Sequence, residues 1–297
     1  MKPRLFLMAG SATAGAAALA AALLLNAAAP VPLEIKAPLM AHQGDVVRAK
    51  LPANGHDLKL DGRAVPLEAD GRFMIGIDRD AGPAALLTWI TADGRTARWP
   101  VSVEPRPWDI DVLPARLAYN GPPNPEYDAM REAEVALIRT ARTEISPWPF
   151  WSATVKMPVT GRISGVYGSQ RVYGDKPAAP HAGLDIAAPA GTPIKAPIPG
   201  IVRLAQGPFT LEGNVIILDH GRGLYSSYLH LSRIDVKPGQ IIRQGDIMGA
   251  IGTTGRSTGP HLHWAMTWHG VRVDPASMLQ PGTLRPPGTL PEAKANS

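Results

Sequence analysis

The stretch from Gly252 to Trp264 reads Gly-Thr-Thr-Gly-Arg-Ser-Thr-Gly-Pro-His-Leu-His-Trp. On a β-strand, positions i and i+2 face the same way. His261 and His263 would then share one pocket while Leu262 turns into the core behind them. Gly252, Gly255, Gly259 and Pro260 let the preceding loop turn tightly and bring backbone close. Two imidazoles on one face suit a metal ligand beside a proton-transfer group. Alone, the pair is weak evidence for either.

His181-Ala182-Gly183-Leu184-Asp185 supplies a second candidate pair. A straight strand would hold its ends about 13 Å apart, too far to share an ion. Gly183, with Pro180 and Pro189 nearby, argues against a helix. A chain bent at Gly183 brings both side chains inward. A catalytic zinc commonly takes three nitrogen or oxygen ligands and keeps its fourth position for water, whose pKa it lowers to about 7. His181, Asp185 and one of His261 and His263 make such a set. The other histidine is left to orient water or carry its proton. There is no His-Glu-x-x-His sequence, so the usual glutamate base of that class is missing and a histidine must take the proton work, or water must reach another base.

Tyr228-Leu229-His230-Leu231 is the third candidate. Strand alternation puts Tyr228 and His230 on one face, away from Leu229 and Leu231, with His230 opposite His261. The other histidines read as structural: His220 in a hairpin before Gly221, His269 as an exposed turn residue, and His42 and His56 as surface groups. The chain has no cysteine, so any metal must rest on histidine and carboxylate.

The elements around these residues read as mainly β. Of 297 residues, 31 are proline and 30 glycine, scattered among apolar runs, as in a turn-rich β protein. Short strands are expected at 46–50, 58–60, 64–67, 73–77, 84–91 and 96–103, with Asp61-Gly62, Asp70-Gly71 and Asp93-Gly94 as tight turns. These predict a small β-sandwich over 32–105. A connector over 106–149 carries one helix, starting at Asn124-Pro125 and closed by Pro147. Glycine-punctuated strands resume over 150–281, at 200–205, 214–219, 224–229, 247–251 and 261–267. The tail over 282–297 is polar, proline-rich and expected to be disordered.

The N-terminus, residues 1–29, has an export pattern. Met1-Lys2-Pro3-Arg4 is basic, Leu5 to Leu25 is uncharged, and Ala27-Ala28-Ala29 offers a small-residue cleavage site. The apolar run is also long enough for an uncleaved anchor in the inner membrane. Either way the expected location is the periplasm. The net charge of +5 suits an anionic polymer or lipid, but no dense basic cluster points to nucleic acid.

Residues from about 155 to 280 resemble the lysostaphin/LytM-type zinc metallopeptidases, which act mainly on bacterial peptidoglycan. The likeness is carried by His181-x-Gly183-x-Asp185, Gly191-Thr192-Pro193-Ile194-x-Ala196, Gly200-x-Val202, Tyr228-x-His230-Leu231, Gly252-x-Thr254-Gly255 and Ser257-Thr258-Gly259-Pro260-His261-Leu262-His263. It implies Zn2+ held by His181, Asp185 and His263, with His230 and His261 as the catalytic pair. It also implies an antiparallel β-sheet groove for a peptide strand of peptidoglycan. Gly71-Arg72-Phe73-x-Ile75-Gly76-x-Asp78-Arg79-Asp80 resembles the N-terminal portion of exported bacterial homologues, and residues 163–171 resemble the family's entry to its groove. Tyr173, on the following loop, is a further candidate for the developing oxyanion. The alternative is a catalytically silent wall-binding module or an activator of a separate wall amidase. The intact set of five site residues argues against it.

Overall fold

In the strand Thr96–Glu104, Ala97, Val101 and Val103 are buried while Thr96, Arg98 and Glu104 are exposed. This alternation belongs to a sheet with one covered face. A computed structural model describes residues 33–52, 54–117 and 124–279. The export segment at 1–29 and the tail over 282–297 lie outside the described residues. Among the described residues, no helix is long and apolar enough to cross a membrane.

Before the helix run β1 (Leu33–Glu34), β2 (Leu39–His42), β3 (Val46–Lys50), β4 (His56–Leu60), β5 (Arg63–Ala64), β6 (Arg72–Gly76), β7 (Ala84–Ile90), β8 (Thr96–Glu104) and β9 (Ile110–Leu113). One sheet has the order β1-β8-β7-β4-β5, with β2 also on β8, and β3 pairs with β6 in a second. Phe73 and Ile75 of β6 share an apolar cluster with Leu87 and Trp89 of β7. Asp61 and Gly62 join β4 to β5 with φ of 47° and 81°, the paired positive values of a type I′ turn. β2 was not expected, since its alternation is too short to stand out. It is held by parallel pairing to β8.

Helix α1 (Pro125–Thr140) begins as expected, the Asn124 side chain accepting from the Tyr127 N–H and Pro125 following it. Beyond it lie β10 (Arg162–Gly165), β11 (Gln170–Tyr173), β12 (Lys176–Pro177), β13 (Gly183–Ala187), β14 (Pro193–Lys195), β15 (Gly200–Phe209) and β16 (Gly213–Asp219). β17 (Leu224–Ile234), β18 (Ile241–Ile242), β19 (Ile247–Ile251), β20 (His261–Trp268) and β21 (Val271–Val273) complete the strands. The main sheet is ten-stranded, with β10-β13-β20-β17-β16-β15-β18 as its path, and every pairing in it is antiparallel. The connector before α1 contributes a strand as well: β9 pairs parallel with β11 in a separate three-stranded sheet.

The two faces of the ten-stranded sheet are covered differently. On one, Leu184, Ile186, Tyr228, Leu262, Trp264 and Met266 enter an apolar cluster continuous with the buried side chains of β6, β7 and β8. Contact with the first half is close: a Cβ added at Gly76 would stand 2.8 Å from Val273 Cγ1. The described residues accordingly form one compact unit. On the other face, Leu204, Phe209, Val215, Ile217 and Tyr225 form a second cluster, and Ile138 and Ala141 of the α1 region pack on it. The linking helix therefore also lies on the sheet. Its inward side is partly polar, because Arg131 binds both Glu134 and Glu212, and Glu134 accepts from Thr210. Tyr127, Met130 and Leu137 are left exposed.

Candidate functional site

The site is built on three neighbouring strands, β13, β20 and β17. Antiparallel pairing sets Asp185 opposite His263, and His263 opposite Leu229. Leu262 and Trp264, on either side of His263, are fully buried and anchor the strand from below. His261 and His263 thus face one pocket, as alternation requires. His181 lies just before β13. Its backbone N–H donates to the Ser169 carbonyl and its own carbonyl accepts from Gly168 N–H, which folds it back over the strand. Gly183 makes this possible by close approach: an added Cβ would meet the Trp264 carbonyl oxygen at 2.4 Å.

Three donor atoms converge. His181 Nε2 lies 3.1 Å from Asp185 Oδ1 and 3.0 Å from His263 Nδ1, and His263 Nδ1 lies 2.8 Å from Asp185 Oδ1. Among the described residues these three form the group able to hold a metal ion. The second nitrogen of His181 decides what the cluster asks for. His181 Nδ1 is 2.9 Å from the Val166 carbonyl, which can only accept, so Nδ1 carries the proton. In the neutral ring, Nε2 is then a lone pair aimed at a carboxylate and a second imidazole. Only a proton or a metal cation satisfies all three acceptors at once. Tetrahedral ligation at about 2.1 Å places donors about 3.4 Å apart, which this trio approaches to within about 0.6 Å. Its donor set of two imidazoles and one carboxylate fits zinc.

Burial pushes the Asp185 carboxyl up, but hydrogen bonds and charge from His181 and His263 outweigh it and hold the group far below the usual carboxylate range. Burial pushes His181 down, and Asp185 more than reverses this, so His181 titrates above the ordinary histidine value. At His263 burial wins and the imidazole is held below it.

His230 and His261 form the opposite wall, their ring centroids 4.8 Å apart, and His230 is 6.3 Å from His263. His261 Nε2 approaches Asp185 Oδ1 only to 3.9 Å. His261 Nδ1 lies 2.8 Å from the Gly259 carbonyl, and His230 Nδ1 lies 2.8 Å from the Thr254 carbonyl. Both Nδ1 atoms therefore donate, and both Nε2 atoms are left as lone pairs. Burial holds His230 below the ordinary histidine value, which favours that neutral form.

The route by which His230 reaches this wall corrects the expectation from alternation. Tyr228 is fully buried in the core on the far face. His230 does not share that face. A register shift between the Asn214–Leu231 and Ile216–Tyr228 pairs inserts an extra residue, and His230 takes φ of 66°. Such a bulge with left-handed backbone re-aims a side chain across the sheet. The His230 N–H leaves the ladder and donates to the Glu212 carbonyl instead.

The remaining histidines separate cleanly. His220 is fully buried, donating from Nδ1 to the Pro199 carbonyl and accepting at Nε2 from Ser226. His269 is in a turn with φ of 46°, but it is half-buried with its ring edge against Trp268, because that hairpin folds back on the sheet. Tyr173 ends β11, in the three-stranded sheet outside the one that carries the histidines. Nothing in the sequence marked the backbone partners at Val166, Thr254 and Gly259, or the close approach of Gly165, within the 163–171 stretch, to Asp185. A Cβ at Gly165 would find all three of its nearest neighbours in the Asp185 side chain, Oδ2 at 2.6 Å.

Beside His263 the sheet floor and α1 enclose a cavity of about 600 Å³, lined in part by Val215, Ser227, Leu229 and Ala265 below and by Val135 and Ile138 above. A groove of this kind suits an extended peptide lying along the strands.

A family model described as Peptidase family M23 matches residues 179–275. A Pseudomonas aeruginosa chain, solved as a peptidase M23, is 32% identical, with 84% of this chain and 96% of that one aligned at a TM-score of 0.62. The peptidoglycan DD-endopeptidase ShyA of Vibrio cholerae is 40% identical over 115 residues, 38% of this chain and 26% of that protein. The DD-carboxypeptidase/endopeptidase Mpg of Neisseria meningitidis is 40% identical over 101 residues, 34% of this chain and 23% of that protein. The matched region spans about a quarter of these two curated relatives.

Proposed function

The chain belongs to peptidase family M23, and on that premise we propose that it is a zinc-dependent endopeptidase hydrolysing peptide bonds of peptidoglycan outside the cytoplasmic membrane. The observation that carries this reading is the convergence of three metal-donor atoms facing two imidazoles with free Nε2 lone pairs. His181, Asp185 and His263 would hold the ion. When bound, zinc activates water and polarises the scissile carbonyl. Val166 keeps the His181 lone pair pointed inward by accepting from the other ring nitrogen, the usual support for a ligating histidine.

His230 and His261 do the proton work in this account. One Nε2 takes the proton as water adds to the carbonyl carbon. That proton passes to the departing amine nitrogen as the C–N bond breaks, and the second water proton leaves the new carboxyl group for the amine, giving a carboxylate and an ammonium group. The Thr254 and Gly259 carbonyls hold both rings in the tautomer that begins this cycle. The names of ShyA and Mpg support a D,D cross-link as the bond cut, and the export pattern of residues 1–29 supports action on the wall.

The test is digestion of purified peptidoglycan, with muropeptides resolved by chromatography and mass spectrometry. Cross-linked dimers should fall and monomers rise, and chelation should abolish the change until zinc is restored. Unchanged muropeptides from folded, zinc-loaded protein would refute the proposal and favour a silent binding module.

A further inference from the structure

Several part-buried arginines in this protein are neutralised by carboxylates: Arg203 binds Asp219 and Glu144, Arg222 binds Glu68, and Arg106 binds Asp274. The cavity beside His263 gathers arginines with far fewer carboxylates. Arg131, Arg139, Arg142 and Arg272 line it together with one carboxylate, Glu212. Glu212 is already held by Arg131 through both oxygens, at 2.8 and 3.1 Å. Among the described residues, no carboxylate pairs with Arg139, Arg142 or Arg272. Arg142 is the most exacting of the three. Its Nη2 donates to Ser227 Oγ at 2.6 Å, while its Nε is buried with no partner. A guanidinium drawn from water with no carboxylate bonded to it is costly. Burial first, then the charge of Arg272, pushes Arg142 down to about 10, and the charge of Glu212 only partly opposes them.

We propose that Arg142 and Arg272, with Arg139 at the rim, form a carboxylate subsite that selects substrate peptides bearing a free acid side chain over the same peptides amidated. The inference rests on the peptidase reading above and deepens it. Sheet register gives the position. Ser227, which holds Arg142, pairs with Ala265, two residues along β20 from His263. Two residues of strand rise about 7 Å, so the recognised carboxylate sits about two residues from the scissile bond. The planar guanidinium offers the paired donors that a carboxylate accepts.

The test uses uncleavable peptides that differ only in carrying a carboxylate or a carboxamide at that position, titrated into the zinc-loaded full-length protein by calorimetry. The acid should bind about tenfold tighter or more. Arg142→Gln and Arg272→Gln should each shrink that ratio. Arg272 is exposed, so its variant reports even if loss of Arg142 disturbs the helix packing. Equal affinity for acid and amide, or a ratio unchanged in Arg272→Gln, would overturn the subsite. Because this reads binding alone, it stands apart from the digestion assay: a protein that cuts peptidoglycan without the preference loses only this inference.

Discussion

Gly165→Ala is the sharpest probe of how tightly the site is built. The added methyl carbon would stand 2.6 Å from Asp185 Oδ2, 3.2 Å from Cγ and 3.3 Å from Cβ. Clearing even the nearest contact to about 3.4 Å needs a shift of roughly 0.8 Å, because protein interiors are close-packed. Asp185 is the part free to yield, and its Oδ1 is the atom that both His181 and His263 meet. Disturbing the groups that orient a ligand typically weakens metal binding by about 10- to 100-fold, or roughly 1.4–2.7 kcal/mol. Zinc affinity is read by competition with a chromophoric chelator, and folding by thermal melts of the metal-free protein. The variant should fold, bind zinc 10- to 100-fold more weakly and lose hydrolysis at limiting zinc. Zinc affinity within about twofold of the parent would refute the idea that backbone proximity at Gly165 sets the carboxylate.

Other perturbations separate the two walls of the site. His230→Gln and His261→Gln should each lower kcat by about 10²- to 10⁴-fold while zinc stoichiometry stays at one; loss of zinc from either would make that residue a ligand. Leu262→Ala, which empties a fully buried position between the two histidines, should cost about 2–5 kcal/mol in denaturant unfolding, and a change below about 1 kcal/mol would contradict the packing described. Burial pushes His220 down to about 4. The unfolded chain takes up that proton near pH 6.5 and the folded one does not. The contribution is therefore intact above pH 6.5 and lost as pH falls towards 4, amounting to about 3 kcal/mol. Denaturant melts between pH 8 and 4 should show a shallower decline in His220→Gln, and parallel curves would remove His220 as the cause.

What the sequence disclosed follows the kind of interaction involved. His181, Asp185, His261 and His263 were legible because their chemistry lies in side-chain identity and their placement in strand period or a glycine bend. Turns such as Asp61-Gly62 were legible for a similar reason, since left-handed backbone favours those residues. His230 reaches the wall of the site, but not on the face that alternation predicts. Its left-handed φ is not announced by a histidine between two leucines, and the bulge arises from pairing with a distant strand. The carbonyls of Val166, Thr254 and Gly259 have no sequence signature, since every residue has one. α1 was legible as a helix from its cap, yet its inward face was not. The partners that draw Arg131 and Glu134 inward, Glu212 and Thr210, are far along the chain.

Metal would be held by His181, Asp185 and His263 and faced by His230 and His261. Anomalous diffraction at the zinc absorption edge, from crystals grown with zinc, tests it without reference to turnover. One strong peak should lie about 2.0–2.2 Å from His181 Nε2, His263 Nδ1 and a carboxylate oxygen of Asp185, with His230 and His261 facing it but not ligating. A peak held instead by His230 and His261, or no peak among the five residues in protein that is otherwise folded, would contradict the account.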